Sequence, residues 1–134
     1  MENMNSIEQE INRKKRYIEI QENNITKHNS YIEKYKWEIE KIEKCENLKD
    51  LRHYNVIYAY NWEKYICYDI WEWSIDNIYE FDTFEKLKDF AKRYYLALIE
   101  RSNNEIEQSK ELIDKINADI DKLKIILQNM VDNI

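Results

Sequence analysis

The sequence predicts an α+β fold that is mostly α. Two long heptad-patterned helices form an antiparallel coiled-coil stalk, and a small antiparallel three-stranded sheet is inserted between them. Three observations predict it. Isoleucine and related residues recur every seven positions in two ladders of equal length, one toward each end of the chain; the stretch 55–81 is crowded with Tyr, Trp, Ile and Val; and glycine and proline are absent from all 134 residues. A chain without glycine has no phosphate-cradling loop, dinucleotide fingerprint or nucleophile elbow, because each needs a residue lacking Cβ at a fixed point.

The first helix is expected over 4–47. Met4, Ile11, Ile18, Ile25, Ile32 and Ile39 fall seven apart, and a seam of period 7 stays on one face only if helices supercoil left-handedly around each other. Ile99, Ile106, Ile113, Ile120, Leu127 and Ile134 repeat the pattern in the last helix, 84–134. The companion seam positions are Ile7, Lys14, Gln21, His28, Tyr35 and Ile42 on the first helix and Ser102, Ser109, Ile116, Leu123 and Met130 on the second. Polar residues in such a seam cost stability but select register or oligomer number; Lys14, Gln21 and His28 are read as specificity devices or as sites covered by a partner. An antiparallel hairpin would set Met4 near Ile134 and Ile39 near Ile99, over a stalk of roughly 50 Å at 1.5 Å per residue. Tyr17, Tyr31, Leu112 and Ile126 widen the apolar stripes, so a homodimer or higher homo-oligomer is expected.

The insert, 48–83, favours strands. Expected strands are 56–60 and 65–73, joined through Asn61, Trp62, Glu63 and Lys64, then 78–81 after a turn at Asp76 and Asn77. Alternation sorts the second strand into Ile66, Tyr68 and Ile70 on one face, able to cover a helix, and Tyr65, Cys67, Asp69, Trp71 and Trp73 on the other. Asp82 is expected as helix N-cap with Glu85 completing a capping box, and the helix after it to bury Phe84, Leu87, Ala91, Tyr94 and Leu98. The whole is expected to be a single domain.

Charge separates the parts. The net charge is −6, and residues 55–85 alone carry Glu63, Asp69, Glu72, Asp76, Glu80, Asp82 and Glu85 against Lys64, so the remainder is neutral. Acids at strand edges and turns serve solubility; beside exposed aromatics they also make a recognition surface for a basic partner, acids steering and aromatics anchoring. The candidate partner-binding residues are Trp62, Asp69, Trp71, Glu72, Trp73, Asp76, Glu80 and Asp82.

No reactive constellation stands out. Cys45, His53 and Cys67 lack paired metal-ligand spacing, two cysteines make no disulfide framework, and the carboxylates are too dispersed to single out an acid/base couple. No catalytic residue, metal site or cofactor is expected, and the protein is read as not an enzyme. Direct nucleic-acid binding is disfavoured, since the basic run Arg13, Lys14, Lys15 and Arg16 is flanked by acids and the aromatic region is negative. A small nucleotide sequestered in an aromatic pocket would call for basic residues, which the charge does not supply. No apolar run near the first residues resembles a signal peptide, and none approaches the ~18 residues that span a bilayer; the cytoplasm is the expected location and the membrane is not a partner. Ile (21), Lys (16) and Asn (15) dominate while Ala (4) and Arg (5) are scarce, as in AT-rich coding sequence from a low-GC bacterium or a phage or plasmid living in one.

The layout of helix, strands and helix resembles that of prefoldin, whose long antiparallel coils splay from a strand-built platform and hold unfolded clients. The likeness is one of layout and carries over no residue; it implies a holdase or an assembly scaffold as the alternative function. In size, charge and lack of catalytic motifs the chain is similar to anti-CRISPR proteins. The leading expectation is accordingly an interaction protein whose acidic aromatic head blocks a nucleic-acid-binding defence nuclease, carboxylates standing in for phosphates and indoles for bases.

Overall fold

A computed structural model describes residues 3–51, 56–71 and 74–134, with side chains for all but 69–71 and 74–76. The order is α1 (Met4–Lys44), a short 3-10 helix η1 (Leu48–Asp50), β1 (Val56–Tyr60), β2 (Tyr65–Trp71), β3 (Ser74–Phe81) and α2 (Phe84–Asp132). These are the two long helices and the three-stranded antiparallel sheet, in strand order β1-β2-β3, that the sequence predicts. The chain divides into two compact units, one of Met1–Tyr31 with Glu100–Ile134, the other Ile32–Ile99. Among the described residues no helix is long and apolar enough to cross a membrane.

In the first unit the ladders meet. Ile7, Ile11, Ile116 and Ile120 form the buried centre, with Ile18, Leu123, Leu127 and Met130 packed around it; each fully buried Ile contributes roughly 1.5–3 kcal/mol. The polar seam residues are matched layer by layer. The Ser109 hydroxyl, 2% exposed, donates to Gln21 Oε1 at 2.9 Å and accepts from Asn24 Nδ2 at 2.8 Å. His28 Nδ1 lies 3.2 Å from the hydroxyl of buried Ser102, and Lys14 Nζ reaches Asp119 at 3.8 Å and Glu10 at 3.5 Å. These pairs make the helices antiparallel but correct the expected register. His28 sits against Ser102 rather than position 110, about one heptad further on, and Ile134, expected beside Met4, is 88% exposed. Sliding an isoleucine ladder by seven residues exchanges Ile for Ile, so the apolar pattern leaves registers one heptad apart nearly equivalent. The polar layers separate them, because only one register gives Gln21, Asn24 and His28 hydroxyl partners. A hydrogen bond from Arg13 holds the Glu10 carboxyl below the usual carboxylate range.

The second unit holds the sheet against the first half of α2. Its core is Ile42, Leu51, Cys67, Leu87, Ala91 and Tyr95. Leu87, Ala91 and Tyr95 follow one another at four residues, and the tyrosine is Tyr95 rather than the expected Tyr94, which is 53% exposed. Burial pushes the Tyr95 phenol up, with Glu38 adding to the effect. Without glycine to close it, α1 ends under a side chain from elsewhere. Lys88, only 7% exposed, donates to the carbonyls of Glu43 at 3.1 Å and Cys45 at 2.9 Å, placing a cation on the negative end of the helix.

Three expectations about the insert are corrected. The side of β2 packed on Leu87 and Ala91 carries Tyr65 and Cys67, in the row Tyr58↔Cys67↔Tyr79, whereas Ile66 and Tyr68 share the opposite side, where Ile66 is nevertheless buried. β3 begins at Ser74, so Asp76 and Asn77 lie within it. Asp69 pairs with Asn77 and Ile70 with Ile75, leaving Asp76 as the extra residue of an irregularity of the bulge type that absorbs the polar pair without a turn. Thr83 rather than Asp82 caps α2: its Oγ1 accepts from Lys86 N at 3.2 Å, which puts Lys86 where a capping box needs Glu or Gln. Asp82 instead lies 3.8 Å from Lys86 Nζ.

Candidate functional site: the β1–β2 turn and its acidic border

The turn between β1 and β2 presents Trp62. Asn61 ties it together: its N–H donates to the Lys64 carbonyl at 3.1 Å, and its Oδ1 accepts from Glu63 N at 3.1 Å and Lys64 N at 2.8 Å. This side-chain-to-backbone turn is the substitute available to a chain without glycine. It places Trp62 at φ 73, a left-handed conformation that is a genuine outlier for a bulky residue. The indole is 89% exposed. Its contact is the Tyr60 ring, centroids 6.1 Å apart, and Tyr60 continues through Tyr65 at 4.7 Å to Phe84 at 5.7 Å. An aromatic row thus runs from the start of α2 to the projecting indole.

Carboxylates border this row. Glu63, Glu80 and Asp82 are exposed, and Lys64 lies 3.9 Å from both Glu80 and Asp82, contacts worth at most about 1 kcal/mol in solvent. Tyr65↔Phe81 and Ile66↔Glu80 pairing brings the end of β3 beside the turn. Of the sequence-predicted residues, the structure therefore gathers Trp62, Glu80 and Asp82. Asp69 and Trp71 lie on β2 and Asp76 at the irregularity of β3; Glu72 and Trp73 lie outside the described residues.

Sequence reasoning missed Ile57 and Ile78. They flank Tyr68 in the row Ile57↔Tyr68↔Ile78 on the sheet face away from the core and are 51% and 58% exposed. Period-2 alternation marks them once the core face is known; with the faces of β2 assigned the other way round, they read as covered.

Cys45 Sγ approaches the Asp50 carbonyl at 3.5 Å, Cys67 is in the core, and His53 lies outside the described residues. Among the described residues no three His, Cys, Asp or Glu side chains are grouped to hold a metal ion. The arrangement supplies an aromatic projection, two exposed isoleucines on the sheet and a negative border, which are the parts of a binding surface. No protein family, curated protein or solved structure matches the chain.

Proposed function

We propose that the protein is a non-enzymatic interaction protein, acting in the cytoplasm, whose acidic aromatic head occupies a basic surface on a protein partner. A nucleic-acid-binding groove of a host defence nuclease is the partner surface of matching chemistry, and blocking it is an anti-CRISPR-like activity of mobile-element origin. The observation that carries this reading is Trp62. A bulky residue held at positive φ and 89% exposed is a backbone outlier of the kind retained at working sites. Exposed acids beside it favour encounter with a positive surface. Asp69 and Trp71 on β2 and Asp76 on β3 belong to the proposed surface, as do Glu72 and Trp73, which lie outside the described residues.

Self-association belongs to the proposal through a different surface. Tyr17, Leu112 and Ile126 each immediately precede a ladder residue, so they share one flank of the helix pair, and they are 47%, 39% and 47% exposed; a second copy would cover them. The holdase reading draws on the same side chains together with Ile20 and Ile125, exposed by 58% and 62%.

Affinity capture from host lysate separates the readings. A single nucleic-acid-binding protein, retained by wild type and lost with Trp62→Ala, supports occlusion. A broad set of unfolded proteins, indifferent to Trp62, supports the holdase.

A further inference from the structure

Behind the core face of the sheet, between it and α2, lies an opening of about 260 Å³ lined by Val56, Tyr58, Cys67, Tyr79, Phe90, Ala91, Arg93 and Tyr94. Its floor is buried, Cys67 and Ala91 each being 1% exposed. One wall is the Phe90 ring, 4.7 Å from Tyr79 and 5.1 Å from Phe81 between centroids. The mouth is formed by the exposed residues, Tyr94 and Arg93. Phe90 and Arg93 also border an adjoining hollow with Lys86 and Asp89. There Lys86 pairs with Asp82 at 3.8 Å and Asp89 with Lys92 at 3.3 Å, whereas Arg93 has no ion pair or hydrogen bond among the described residues.

Protein interiors keep few voids larger than a water molecule, and an apolar cavity of ~150 Å³ already takes a benzene ring. This space is therefore large enough for one ring with a short substituent. Its lining is aromatic and aliphatic, and the guanidinium of Arg93, without an ion pair among the described residues, stands at its exposed rim. We propose that the pocket binds a small aromatic monocarboxylate, the ring lying against Phe90 and Tyr79 and the carboxylate on Arg93, whose planar fork matches a carboxylate in two hydrogen bonds. The pocket takes no part in the Trp62 surface, and the proposal stands independently of the occlusion reading.

The test titrates the full chain with phenylacetate and with its neutral counterpart benzyl alcohol, followed by amide chemical shifts. Expected is saturable one-to-one binding of phenylacetate with shifts centred on Cys67, Tyr79 and Ala91. Arg93→Gln, a surface change that leaves the core intact, should weaken phenylacetate about tenfold or more, the worth of a charge-assisted bond, and leave benzyl alcohol within twofold. Ala91→Met, which fills the floor, should abolish both, with circular dichroism checking that the fold persists. Non-saturable shifts, shifts centred elsewhere, or an Arg93→Gln chain that binds phenylacetate as wild type would overturn the proposal.

Discussion

Replacing Trp62 by Asn should make the protein more stable. A left-handed backbone costs an L-residue roughly 1–2 kcal/mol, and Asn tolerates it through local hydrogen bonding. Against that relief stands the loss of the Tyr60 ring contact. At 6.1 Å between centroids on an exposed turn, it falls at the weak end of the aromatic range, about 0.5 kcal/mol. Little else is lost, since the indole is 89% exposed. The balance is a gain of about 0.5–1.5 kcal/mol, read as a higher urea midpoint at unchanged slope in the far-ultraviolet circular dichroism of the full chain. The same substitution should abolish partner binding, so that stability and function move in opposite directions. A midpoint that stays or falls would show that the turn stores no strain at Trp62, and would remove the argument that the residue is retained for what it contacts.

Three further outcomes follow from the packing. Ser109→Ala removes two hydrogen bonds in a seam layer and should cost about 1–2 kcal/mol, measured by urea denaturation; Ser102→Ala, with one such contact, should cost about half as much. Cysteines at positions 28 and 102, in a Cys45→Ser, Cys67→Ser background, should be bridged within one chain by a short bifunctional thiol reagent, seen as a faster-migrating monomer on a denaturing gel, whereas a pair at 28 and 110 should not. Tyr95 has a folded-state pKa raised above its unfolded value, so its contribution is fully present below about pH 10, the unfolded value, and is lost as pH rises beyond it; Tyr95→Phe should therefore move the alkaline unfolding midpoint, followed by circular dichroism, upward.

The heptad ladders made both helices and their antiparallel pairing legible, because nothing but a supercoiled seam keeps isoleucine at intervals of seven on one face. Their register was legible too, but in the wrong residues for a reading based on apolar positions. Ser102 and Ser109 meet His28 and Gln21, and it is this matching of polar with polar that sets the register. The first two strands were visible in their β-branched and aromatic content. The third was shortened by reading Asp76 and Asn77 as a turn, a preference that pairing with β2 overrides. In the site, Trp62 and the acids could be named from composition. The exposed faces of Ile57 and Ile78 could not, since alternation tells which residues share a face and not which face is covered. Lys88 as the cap of α1 leaves no local sequence signal, because it comes from an element 40 residues away.

The central claim, that the acidic aromatic head is the working surface, is tested most directly by parallel capture from host lysate with three forms of the chain. These are wild type, a head variant carrying Trp62→Ala, Glu80→Lys and Asp82→Lys, and a control reversing Glu8 and Glu22 on α1. Wild type and control should retain the same nucleic-acid-binding partner in amounts that fall with added salt, since exposed charges are screened beyond ~8 Å at physiological ionic strength; the head variant, equally helical, should retain none. Equal retention by the head variant with loss in the α1 control would place the binding surface on the helix pair and contradict the account.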